Sequence, residues 1–197
     1  MKKLSLLLLC IIFAVIAFAQ TTLRDSVHVK TAIFEAMYSE TLEEPLWIKY
    51  TVLCPAGSTS RAGMDFYVVD FVKTSDNNDY VNNVYDKGHM APAADFNCTK
   101  EMLYMTFSFV NCALQNQYLN RGVWRILEMQ EREWAKTETV QVTIHLEFKD
   151  SIKLTTGATV PSGFYKTIYL VESKKTYKYY FPNTTPDKKS YSEYLIN

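Results

Sequence analysis

Apolar and polar residues alternate without a break over 140–148, where the chain reads Val-Gln-Val-Thr-Ile-His-Leu-Glu-Phe. A period of two is that of a strand with one buried face. Runs at 46–53, 152–155, 164–171 and 176–181 predict further strands, and 66–72 (FYVVDFV) has the composition of extended chain. Breakers separate them at Gly157, Pro161-Ser162-Gly163 and Ser173-Lys174-Lys175. The period lengthens over 115–134, which predicts a helix. Tyr118, Leu119, Val123, Ile126, Leu127, Gln130 and Trp134 trace one face, and Arg125, Glu131, Arg132 and Glu133 fill the other. Trp124 and Trp134 are expected in the core, and His145 on the polar face of its strand. Residues 73–83 are polar and predict a surface loop, 20–44 a mobile arm, and the tail from Lys188 a peripheral segment. No repeat or linker divides the chain, so the pattern predicts one α+β domain over 20–197.

The first 19 residues carry a different signal. Lys2 and Lys3 precede an almost wholly apolar run over 4–16, and Ala17-Phe18-Ala19 supplies the small residues that signal peptidase reads. The run is shorter than the roughly 20 residues of a membrane span. Residues 1–19 therefore read as a signal peptide cleaved before Gln20, giving a secreted or periplasmic protein with no membrane attachment. Cys10 lies inside the apolar run rather than after it, which argues against a lipid anchor.

Cleavage would remove two lysines and leave 19 basic against 21 acidic side chains. Proteins that coat nucleic acid are usually basic, so this balance does not suit that class. An enzyme acting on a polyanion needs only a local positive groove. Cys54, Cys98 and Cys112 remain, and an odd number leaves at least one thiol unpaired. Cys98 with Cys112 is one candidate bridge, and spacing leaves the pairing open. The chain has no Cys-x-x-Cys pair, and His28, His89 and His145 do not fall at zinc spacing.

Two stretches carry candidate chemistry. The first is Tyr85-Asp86-Lys87-Gly88-His89-Met90-Ala91-Pro92-Ala93-Ala94-Asp95. A neutral imidazole accepts a proton near physiological pH, Gly88 permits close backbone approach, and Lys87 can meet a phosphate. The second, 111–128, reads NCALQNQYLNRGVWRILE. On a helix Asn120 and Glu128 share one broad side, separated by roughly 80° around the axis. Oxygen donors of this kind suit magnesium, which takes few protein ligands and keeps several waters.

Together the stretches resemble the DNA/RNA non-specific endonuclease family of the ββα-metal, or His-Me finger, superfamily. That family carries Asp-Arg-Gly-His-x-x-Pro-x-Ala, then an Asn near Pro-Gln, then Asn-x-x-x-Trp-x-x-Leu-Glu. Here Asp86-Lys87-Gly88-His89, Pro92 and Ala94 match the first part, and Asn111, Gln115, Asn120, Trp124, Leu127 and Glu128 match the rest. The stretch Val160 to Lys166 and the triplet Phe181-Pro182-Asn183 resemble later strand signatures, which extends the likeness over about 46–183. Lys87 replaces the family's Arg and loses its bidentate fork. Leu114 replaces the usual Pro, with an expected effect on helix entry.

The resemblance implies an α+β fold with a mixed or antiparallel sheet core, a ββα-metal finger and one long helix carrying the metal ligand. It implies hydrolysis of DNA and RNA to 5′-phosphate products, and it is compatible with a homodimer. It casts His89 as general base, Asn120 as direct ligand of Mg²⁺ (with Mn²⁺ as a substitute) and Glu128 as a ligand through water. Lys87 and Arg61 are candidates for the scissile phosphate, although Arg61 reads equally well as an exposed loop residue. Asn111 is assigned to the surroundings of His89, and Asp86 to structure. The run Lys174 to Tyr180 reads first as a strand and second as a backbone contact. One rival is an exported, catalytically weak or inactive nucleic-acid-binding module of the same fold. The other is a narrower enzyme, a toxin-type nuclease or a phosphodiesterase for small esters.

Overall fold

The computed structural model describes residues 23–196; the expected signal peptide lies outside them. In β6 (Val140–Glu147) Val140, Val142, Ile144 and Leu146 are buried, while Gln141 and His145 are exposed. The same alternation builds β1 (Val27–Lys30), β2 (Phe34–Ser39), β3 (Glu44–Thr51), β9 (Gly163–Leu170) and β10 (Lys175–Pro182). These six form one antiparallel sheet in the order β1-β2-β3-β6-β9-β10.

The first two strands correct the expected mobile arm. Val27, Val29, Phe34, Ala36 and Tyr38 are buried on the sheet's inner face. Thr31 closes the hairpin by accepting from the backbone N–H groups of Ile33 and Phe34 and donating to the Phe34 carbonyl.

A second layer packs over that face. β4 (Tyr85–His89) pairs antiparallel with β5 (Cys112–Asn116), and α1 (Lys100–Met105) lies in the connection between them. After β5 come α2 (Gln117–Leu119), a π-type turn over Asn120–Trp124, and α3 (Arg125–Ala135). A small pair, β7 (Ile152–Lys153) and β8 (Thr159–Val160), flanks the finger. Trp124 locks the layers together, its ring 5.4 Å from both Phe164 and Phe181, and Trp134 stacks on Tyr177 at 5.0 Å. The architecture is α+β, as the sequence predicts.

Five expectations are corrected or refined. The helix begins at Gln117, because Asn116 caps it by accepting from the N–H groups of Tyr118 and Leu119. Gly122 (φ −99°, ψ −121°) then kinks the long helix that runs on through α3. Residues 66–72 form no strand beyond a bridge from Tyr67 to Ser108. The loop over 73–83 buries Ser75 and Asp79. The tail is docked, with Tyr194 on Phe181 at 4.8 Å and Ile196 N–H bonded to the Lys178 carbonyl.

Candidate active site

The register of β4 on β5 sets Gly88 opposite Ala113 and His89 opposite Cys112. A Cβ at Gly88 would lie 2.6 Å from the Gln115 Cβ, so the close strand approach requires glycine. Behind His89, buried Asn111 staples the chain. Its Oδ1 accepts from Ala91 N–H at 2.7 Å, and its Nδ2 donates to the carbonyls of Ala91 (2.8 Å) and Thr106 (2.9 Å). Asn111 therefore holds the backbone that follows His89 and is absent from the cleft lining. The imidazole lies between Phe66 (4.6 Å) and Phe107 (4.9 Å), and its Nε2 has no hydrogen-bond partner. Burial pushes its pKa down to about 3, with Arg61's charge adding to the shift, so the ring is neutral near pH 7.

Across the cleft, Asp86 organises the helix entry. Arg121 donates Nε (2.8 Å) and Nη2 (2.5 Å) to the Asp86 carboxylate, which also accepts from Asn120 Nδ2 at 2.9 Å. Committing Nδ2 leaves Oδ1 as Asn120's uncommitted acceptor. Asn183 supports the same entry by accepting from Asn116 N–H at 2.7 Å and donating to the carbonyls of Leu114 and Pro161. Leu114 lies within β5 rather than at the helix entry, and its N–H donates to Glu44, a bond that a proline would forfeit.

Glu128 comes two turns after Asn120 and lines the same cleft. Burial raises its pKa to about 7; the negative charge of Glu131 adds to this, while Lys166 and Arg132 oppose it. Behind it Glu131 is fully buried against Lys166 at 2.7 Å, and Tyr50 donates to it at 3.0 Å. The Lys166 ammonium stands 4.3 Å from the Trp124 ring centroid. Glu131 thus belongs to the inner face, which corrects the expected charged side. The spacing Trp124, Leu127, Glu131 carries that signal, as does Lys166's place between buried Phe164 and Ile168.

The cleft, of about 1100 Å³, brings together Arg61, Lys87, His89, Asn120, Glu128 and the unforeseen pair Arg121 and Arg125. The Lys87 ammonium donates to Asp65 (3.0 Å) and Asn77 (2.5 Å), so it ties two loops instead of standing free for phosphate. Arg132 is held by buried Asp95 at 2.7 Å. Arg61 is exposed, on a loop pinned by a Cys54–Cys98 disulfide. That pairing corrects the Cys98–Cys112 candidate: Cys112 is free and buried opposite His89. An amide oxygen and a carboxylate, with no group of three or more His, Cys, Asp or Glu gathered among the described residues, suit a hard cation that keeps its waters.

A two-stranded finger presenting a histidine, followed by a helix bearing Asn120 and Glu128, defines a ββα, or His-Me finger, protein. A family model described as DNA/RNA non-specific endonuclease matches residues 17–197, and the chain belongs to that family. "Nuclease EXOG, mitochondrial" of Danio rerio is 40% identical over 60 residues, 30% of this chain and 18% of that protein. "Endonuclease G, mitochondrial" of Bos taurus is 32% identical over 84 residues, 41% of this chain and 28% of that protein. "Nuclease EXOG, mitochondrial" of Xenopus laevis is 35% identical over 109 residues, 49% of this chain and 30% of that protein. The matches span less than a third of these relatives' own length. The structure "Crystal structure of the EndoG/EndoGI complex: Mechanism of EndoG inhibition" superimposes with a TM-score of 0.77. At 23% identity it covers 86% of this chain and 80% of its own, which shows a shared fold.

Proposed function

We propose that this chain is an exported, divalent-metal-dependent endonuclease that hydrolyses the phosphodiester bonds of DNA and RNA without sequence preference. The observation that carries the reading is the convergence of neutral His89, Asn120 and Glu128 on one cleft. His89 accepts the proton of the attacking water. Burial is the larger cause of the imidazole's lowered basicity, and a phosphate held by Arg61 offsets only the smaller one, the charge of Arg61 itself. Lys87 shapes the wall through Asp65 and Asn77 and leaves the phosphate to Arg61.

Asn120 directly, and Glu128 through water, would hold Mg²⁺, with Mn²⁺ able to substitute. When bound, the cation supplies charge neutralisation at the phosphate and the departing 3′ oxygen. Asp86 and Arg121 keep the Asn120 amide oriented for that task. A site that reads only phosphate carries no base information. The apolar leader and the Cys54–Cys98 bridge both support export to an oxidising compartment.

The test is incubation of the chain from Gln20 onward with supercoiled plasmid and with single-stranded RNA, in Mg²⁺, Mn²⁺ or EDTA. Metal-dependent nicking and RNA degradation leaving 5′-phosphates are expected. Inertness on both substrates in both metals would overturn the reading in favour of an inactive binding module.

A further inference from the structure

The cations of the cleft are of two kinds. Lys87, Arg121 and Arg132 are neutralised by Asp65, Asp86 and Asp95 respectively. Arg61 and Arg125 line the same cleft, are exposed and have no acidic partner among the described residues. Arg61 belongs to the loop wall and Arg125 to α3. The Arg125 Nε donates to the Arg121 carbonyl at 3.2 Å, and its Nη1 lies 3.8 Å from the Met129 sulfur. The side chain is thereby steered while most of its N–H donors stay uncommitted.

Arg125, Glu128 and Arg132 recur at helical spacing along one stripe facing the cleft. From Arg125 to Arg132 the axis rises about 10 Å, and a nucleic-acid strand advances about 3.4 Å of axis per phosphate. This wall is therefore longer than one phosphate step, and groups at its two ends meet different phosphates. The cleft volume, about 1100 Å³, also exceeds that of most single small-ligand sites.

We infer that Arg125 forms a flanking-phosphate subsite: it binds a backbone phosphodiester of the same substrate strand, displaced from the one at His89. The inference rests on the nuclease reading for its ligand, but not on turnover. A nearly neutral chain gains a grip on a polyanion through two unpaired cations on opposite walls, and the subsite favours polymers over short esters.

The test uses His89→Ala protein, which keeps the cleft while slowing cleavage, and a fluorescently labelled DNA duplex. Anisotropy titrations at increasing salt are compared with those of His89→Ala/Arg125→Gln and His89→Ala/Lys178→Gln. Lys178 lies on the exposed side of β10, within the rival Lys-Tyr run. Loss of one phosphate contact lowers the slope of log K against log salt by about 0.9. That change with Arg125→Gln and none with Lys178→Gln is the expected result. An unchanged slope in Arg125→Gln, or the loss appearing in Lys178→Gln instead, overturns the subsite. Wild-type protein that fails to cut, in the same series, would remove the catalytic reading and leave this readout intact.

Discussion

The two walls of the cleft are built on opposite principles. On the helix wall the functional side chains other than Arg125 have fixed supports: Asn120 is held by Asp86, Arg132 by Asp95, and Glu128 stands in front of the buried Glu131–Lys166 pair. The loop wall, residues 52–65, has no helix or strand. It depends on the Cys54–Cys98 bridge and on bonds such as Thr59 N–H to the Asn97 carbonyl and Asn97 Nδ2 to the Gly57 carbonyl. Rigid support is concentrated where accurate geometry is needed. Groups that would set metal geometry sit on elements locked by the core, whereas Arg61, which needs only to find a phosphate, rides on a pinned but irregular segment.

The largest effect is expected where the helix wall meets the core. Lys166→Ala strands Glu131 as an unpaired buried charge and should cost about 3–5 kcal/mol, read as a lower urea midpoint. Lys166→Met with Glu131→Leu should recover much of that loss. If the single variant is as stable as wild type, the pair is not a support. Next comes the loop wall. Cys98→Ser should cost about 2–4 kcal/mol and raise KM for plasmid, with metal affinity unchanged; an equal fall in metal affinity would erase the distinction between the walls. Asp86→Asn weakens the hold on both Arg121 and Asn120. A 10–100-fold loss of Mg²⁺ affinity by calorimetry is expected, and unchanged affinity would detach Asp86 from the metal site.

The smallest effect is one of pH. With its pKa raised to about 7, Glu128 is mostly protonated at pH 6, and metal binding there must release a proton. Mg²⁺ affinity should fall about tenfold per unit as pH drops below 7 and level off above about 8. Calorimetry in buffers of different ionisation enthalpy counts the protons, and no release at pH 6 would contradict Glu128's part.

Much of this was legible where periodicity and chemistry agree. Val140 to Glu147 declares its strand, Trp124 its burial, and the Gly88-His89 and Asn120-to-Glu128 motifs meet in one cleft. Where charge type and position disagreed, residue type misled: Glu131 and Lys166 occupy inward positions of their elements, yet each carries a charge that only the other satisfies. Pairings between loops have no period at all. Nothing in the spacing selects Cys54 over Cys112 for Cys98, or announces that Asp65 and Asn77 capture Lys87. Residues 23–39 were hidden by their polar content, although Val27 and Val29, like Phe34, Ala36 and Tyr38, alternate as strand residues do.

Separating binding from cutting in one variant shows whether His89 is the base of a phosphodiester-cutting cleft. Single-turnover cleavage of supercoiled plasmid in Mg²⁺, with DNA affinity measured alongside, should show His89→Ala binding as wild type does and cutting about 10²–10⁴-fold more slowly. Cleavage by His89→Ala at the wild-type rate, with affinity unchanged, would contradict the account and place the base elsewhere in the cleft.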